Sequence, residues 1–99
     1  MTFKAIKING KCPVYKVGEK TVIDGPFIDL KNSDKVCIHA LFSLGSFIIA
    51  LREGVDPMSV GLSKNQEGPA YFQCLDPGSP WTEGGTVLFE VSSVQGKKD

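Results

Sequence analysis

Three observations predict a single α+β domain. Apolar residues alternate with polar ones near both ends, as Phe3, Ala5 and Ile8 and again as Val87, Phe89 and Val91. Between them, Val36 to Leu51 is a run of mostly apolar residues with helical spacing. Turn chemistry separates the segments at Asn9-Gly10, Gly25-Pro26 and Asp76-Pro77-Gly78. The expected architecture is a small antiparallel or mixed sheet of about five strands, or a half-open barrel, packed on one long or kinked helix in the order βββα(α)ββ. A chain of 99 residues with 41% hydrophobic side chains has the length of one domain and enough apolar surface to fold without staples. The domain is assigned to residues 1–94, and residues 95–99 are read as a polar tail.

The first strand runs through Phe3, Ala5 and Ile8 and stops at Asn9-Gly10, a pair that favours positive φ. Cys12 follows, held extended by Pro13. Val14–Val17 and Lys20–Ile23 read as a hairpin turning at Gly18, and Phe27–Lys31 as a segment returning across the core. Asn32-Ser33-Asp34 supplies cap chemistry for a helix from about Lys35 to Glu53, with Gly54 as its C′ residue. Cys37, Leu41, Leu44, Ile48 and Leu51 make its inner stripe, and Gly45-Ser46 marks a kink or a break. Val36, Ile38, Phe42, Phe47 and Ile49 fill its sides, more apolar surface than one sheet covers, so a homodimer through this helix is expected.

Asp56-Pro57 opens a short helical turn to Val60. Ala70–Cys74 is a strand closed by Asp76-Pro77-Gly78, and Thr86–Ser92 is the clearest strand in the chain.

Charge and motif content exclude several classes. Eleven basic and eleven acidic side chains cancel without clustering, which argues against nucleic-acid binding. The Val36–Leu51 run is about sixteen residues, short of the roughly twenty that cross a bilayer, so no membrane span is expected. Met1–Lys11 lacks the pattern of a secretory signal, and an odd number of cysteines fits a reducing, cytoplasmic setting. Phosphate-loop, dinucleotide, hydrolase-elbow and zincin motifs are missing, and a lone histidine excludes histidine-rich metal sites. No catalytic residue is assigned.

The residues able to carry chemistry are Cys12, Cys37 and Cys74. Their spacing lacks the C-x-x-C pair of strong metal motifs, but each falls at an element boundary, where loops converge into sites. Cys37 is expected in the first helical turn, where free amides and the dipole favour a thiolate. Cysteine is also a small, commonly buried hydrophobe, so three core residues are the plain alternative. His39 is two residues from Cys37, a helical rotation of about 200°, so a regular helix points the two apart and leaves His39 facing solvent. It becomes a fourth ligand only at an irregular helix start. Asp76, Trp81 and Glu83 flank Cys74 and could supply a second shell, a stacking surface or a general acid; their plain readings are a turn former, an aromatic lid and a solvated carboxylate.

Cys12-Pro13-Val14-Tyr15-Lys16-Val17-Gly18-Glu19, Val36-Cys37-Ile38-His39-Ala40-Leu41 and Gln73-Cys74-Leu75-Asp76-Pro77 stand in this order along the chain. Together they resemble a family of small three-cysteine proteins found mainly in anaerobic bacteria and archaea. The resemblance spans about Cys12 to Val91. It implies that the three cysteines belong to one shared pattern in an oxygen-poor setting, and it implies no particular reaction. Many members carry tryptophan near the helix cysteine, where this chain has Ile38 and His39.

The leading expectation is a metal- or iron–sulfur-binding protein in which Cys12, Cys37 and Cys74 converge and leave one coordination position for water, a small ligand or a side chain. Three thiolates suit zinc or a cluster better than a hard cation. Two alternatives stand beside it. One is a metal-free partner-binding or homo-oligomeric module using the apolar helix. The other is thiol or sulfur transfer at Cys37, with Cys12 or Cys74 as resolving thiol.

Overall fold

A computed structural model of the chain describes residues 1–92, so the tail assigned to 95–99 lies outside the described residues. The central strand is β1 (Thr2–Asn9), which pairs antiparallel with β2 (Lys20–Asp24) on one side and β5 (Thr86–Ser92) on the other. β3 (Phe27–Ile28) extends the sheet from β2, and β4 (Ala70–Gln73) extends it from β5. The result is an open five-stranded sheet in the order β3-β2-β1-β5-β4. It is antiparallel throughout, so the mixed-sheet and half-open-barrel alternatives are set aside.

One face of the sheet builds the core. Phe3 and Ala5 of β1, Thr21 and Ile23 of β2, Phe72 of β4, and Val87, Phe89 and Val91 of β5 are all buried. The spacing of Phe3, Ala5 and Ile8 departs from period two after Ala5, and a register shift between Ala5 and Lys7 absorbs the difference. Such a bulge adds one residue and returns Ile8 to the core side, where it is partly buried.

Val14–Val17 is not a strand. Its place beside β1 is taken by a turn in which the Gly18 amide donates to the Ala5 carbonyl at 2.8 Å and the Ala5 amide donates to the Glu19 carbonyl at 2.9 Å. Gly18 has φ +96°, as a turn there requires. With Val14–Val17 out of the sheet, the third strand is the two-residue β3, so the strands are not the ones expected.

The long helix is two short ones, α1 (Ile38–Leu44) and α2 (Phe47–Arg52). Gly45 separates them at φ 56° and ψ −136°, a conformation no helix continues through. The expected cap cluster serves the sheet instead. The Ser33 hydroxyl accepts from the Val22 amide at 2.8 Å, and the Asp34 carboxylate accepts from the Lys20 amide at 3.1 Å. The helix therefore starts later, with Cys37 as its N-cap residue and not within its first turn.

The inner stripe holds: Leu44 is buried, and Cys37, Leu41, Ile48 and Leu51 pack against the core. The helical pair ends as expected. Gly54 donates to the Leu51 carbonyl and Val55 to the Ala50 carbonyl, the Schellman arrangement. Asp56 then caps a 3₁₀ turn over Pro57–Val60, its side chain accepting from the Met58 amide. Among the described residues no helix is long and apolar enough to cross a membrane.

Candidate thiol site

Each cysteine is delivered by a different device. At the end of β1 the chain turns through Gly10, with φ +85°, and passes directly over Gly85. A Cβ on Gly85 would stand 2.7–2.8 Å from the Lys11 backbone, so only glycine allows the approach. Cys12 comes next, and its Sγ accepts from the amides of Val14 at 3.4 Å and Tyr15 at 3.3 Å.

Cys74 lies just past β4. Its amide still donates to the Val87 carbonyl at 2.8 Å, and its Sγ accepts from the Asp76 amide at 3.4 Å. Cys37 has extended backbone, with φ −116° and ψ 130°, and its carbonyl accepts from the Leu41 amide at 3.0 Å to open α1. All three are free thiols, Cys74 buried at 8% exposure and the other two half-buried.

Tyr15 joins two of these devices. Besides its amide on Cys12, its phenol is 2% exposed and sits edge-on to Phe89, with ring centroids 5.1 Å apart. The hydroxyl lies 2.6 Å from Thr21 Oγ1, which itself donates to the Lys35 carbonyl at 2.5 Å. The Tyr15 hydroxyl also lies 3.5 Å from the same Lys35 carbonyl, two residues before Cys37. Burial raises the phenol above its ordinary 10.0, while the hydrogen bond with Thr21 and the nearby Cys37 backbone act the other way. Negative charge on Cys37 and Cys12 would raise it further.

Charge on the other two cysteines bears on Cys74 only after its burial and its Asp76 bond. Burial pushes the Cys74 thiol above its ordinary 9.0, the Asp76 amide opposes this, and charge on Cys37, Asp76 and Cys12 adds to the rise. Those three neighbours are all negative when ionised. Yet among the described residues no group of three or more His, Cys, Asp and Glu side chains is arranged to hold a metal ion.

Of the flanking candidates, Asp76 forms the turn and Glu83 faces solvent, but Trp81 is not the aromatic lid of its plain reading. Asp76 Oδ1 accepts from the Gly78 amide at 2.9 Å and from the Thr82 hydroxyl, and its backbone carbonyl accepts from Thr86 at 2.7 Å. The Thr82 hydroxyl, the Gly78 amide and the charge of His39 hold the carboxyl below its ordinary 3.8. Asp76 is thus a turn former with its oxygen engaged. His39 is exposed on α1, as expected for a regular helix start. Trp81 is 78% exposed and Glu83 is exposed, so neither covers the core.

Four residues at the site escape sequence reasoning: Tyr15, Thr21, Gly84 and Gly85. A Cβ on Gly84 would run into the Asp76 carboxylate, just as one on Gly85 would meet Lys11. The glycine pair seats the chain before Cys12 and after Cys74 at once. A double glycine before the clearest strand was the available signal. Nothing in the sequence pairs Tyr15 with Thr21.

Comparison of the chain with family models, curated proteins and solved structures finds no match.

Proposed function

We propose that this protein binds a thiophilic metal, as zinc or an iron–sulfur unit, through Cys12, Cys37 and Cys74. The observation that carries this reading is the set of backbone amides aimed at Cys12 Sγ and Cys74 Sγ. Hydrogen bonds of this kind favour a sulfur in its charged form and tune thiolates that hold metals. Burial and its negative neighbours raise the Cys74 thiol, so holding all three sulfurs as thiolates would need a cation beside them. Three thiolate ligands would leave a fourth position for water or a small ligand. The shared pattern implied by the family resemblance supports the same set of residues.

The test is metal analysis of protein purified without oxygen, alongside Cys37→Ser. The reading expects about one zinc or a stoichiometric iron content, visible absorption if a cluster is bound, and a lower Tm for the variant. Colourless protein without stoichiometric metal, melting unchanged as Cys37→Ser, refutes it.

A second reading has its own observation. Ile38 is 63%, Phe42 74% and Ile49 57% exposed on α1 and α2. Apolar side chains so placed suit a homodimer or a protein partner. Sedimentation equilibrium of the wild type and of Phe42→Asp decides it: a dimer that the variant converts to monomer supports the reading, and a monomeric wild type at high concentration opposes the homodimer.

A further inference from the structure

Asn9 closes β1, and Gly10 carries the chain out of the strand at φ +85°. Asparagine before glycine is open to an intramolecular reaction in which the glycine nitrogen attacks the side-chain carbonyl carbon. Glycine has no Cβ to crowd that approach, and a nucleophile held beside its electrophile needs no encounter step. The fold leaves the pair unguarded. Both residues are exposed. Among the described residues the Asn9 carboxamide makes no hydrogen bond, and the Gly10 amide donates to no carbonyl. The other two asparagines are placed differently. Asn32 holds its Nδ2 on Asp29 Oδ2 at 2.7 Å and precedes Ser33, and Asn65 precedes Gln66, so each is followed by a residue with a Cβ.

We propose that Asn9-Gly10 is a site of deamidation in the folded protein, and that its isoaspartate product unseats the chain before Cys12. The proposal is independent of the metal reading. The Gly10 nitrogen bonds to Asn9 Cγ and gives its proton to water, the Cγ–Nδ2 bond breaks, and Nδ2 leaves as ammonia. Water then opens the cyclic imide. Opening at Cγ gives aspartate, and opening at the Asn9 main-chain carbonyl gives isoaspartate, whose main chain runs through Cβ and Cγ. Nothing is oxidised or reduced, and water is the only co-reactant. Both products carry a carboxylate that is charged at neutral pH. Only isoaspartate also lengthens the main chain, by one carbon. That carbon enters where two backbones meet: a Cβ on Gly10 would stand 3.4 Å from Gly85 Cα, and one on Gly85 would stand 2.7–2.8 Å from the Lys11 backbone. A close-packed contact admits an added methylene only by displacement.

The experiment incubates the native full chain in mildly alkaline buffer beside the same chain unfolded in urea, and samples both for peptide mass spectrometry. Methyl transfer from S-adenosylmethionine by an isoaspartate-specific methyltransferase tells isoaspartate from aspartate. In the native chain, Asn9 is expected to deamidate at least about tenfold faster than Asn32 and Asn65, with isoaspartate among the products. An Asn9 that stays intact in the native chain while it reacts in urea overturns the site, because the fold then protects it. Tm tests the consequence. The isoaspartate form is expected to melt below Asn9→Asp, which carries the same charge on a main chain of ordinary length. Equal Tm for the two overturns the unseating of the chain.

Discussion

Phe72 and Phe89 stack with ring centroids 4.8 Å apart and planes 18° from parallel, and Phe3 meets each of them edge-on at 5.3 Å. These rings come from three neighbouring strands, so the cluster fastens β1, β5 and β4 to one another through side chains as well as through backbone pairing. Tyr15 adds a fourth ring to Phe89. Phe89→Ala is expected to cost about 3–5 kcal/mol, from lost burial plus the cavity left among the rings. Urea unfolding reads this as a lower midpoint; a loss under about 1 kcal/mol would mean the cluster is not the centre of the core.

Gly85→Ala forces the Lys11 backbone outward, since the added Cβ would lie within 2.7–2.8 Å of three of its atoms. Overpacking of this kind costs about 1–3 kcal/mol. Because Lys11 precedes Cys12, the same substitution is expected to weaken Co²⁺ binding more than its effect on the urea midpoint suggests. Unchanged stability and unchanged Co²⁺ binding would show that the loop does not pass over Gly85 in solution.

Acid is expected to loosen the 12–19 loop before the sheet. The Lys16 amide, 2.8 Å away, and the Lys35 ammonium hold Glu19 below its ordinary 4.5. The Asn32 side chain and amide hold Asp29 below its ordinary 3.8. A carboxyl depressed by folding contributes stability that is present above its unfolded pKa and lost as pH falls through its folded value. Tm should therefore be level above about pH 5 and decline below about pH 4, and Glu19→Gln should flatten part of that decline. A Tm profile identical for both proteins would rule Glu19 out as a contributor.

Alkylation should order the three thiols. Cys74 is the most buried, and burial together with its negative neighbours raises its pKa above the ordinary 9.0. Its reactive thiolate is therefore scarce at neutral pH. In metal-free native protein, iodoacetamide is expected to label Cys12 and Cys37 first and Cys74 last, with the difference abolished in urea. Peptide mass spectrometry at timed intervals checks this. The stability associated with the raised pKa is present below about pH 9 and lost as pH rises through the folded value. Equal labelling rates in the native state would contradict the burial of Cys74.

The sequence by itself determined the α+β class, the span of β5, the capped turn at Asp56-Pro57, the Schellman end at Gly54 and the inner helix stripe from Leu41 to Leu51. These are local matters: a period of two or of about four residues, a cap, a glycine with positive φ, each decided within one element. Three features were settled only by tertiary structure. Val14–Val17 has strand-forming residues, yet Cys12 Sγ and the Ala5 backbone take up the hydrogen-bonding groups around it, and Tyr15 is spent on the core. Asn32-Ser33-Asp34 has the chemistry of a helix cap, yet β2 competes for Ser33 and Asp34 and wins. The three cysteines could be placed at element boundaries from the sequence, but the approach of the chain before Cys12 to the segment after Cys74 depends on β1 lying beside β5 and on Gly84-Gly85 letting two backbones meet. Those are contacts between segments distant along the chain, and no local propensity encodes which long-range partner a polar group or a glycine will meet.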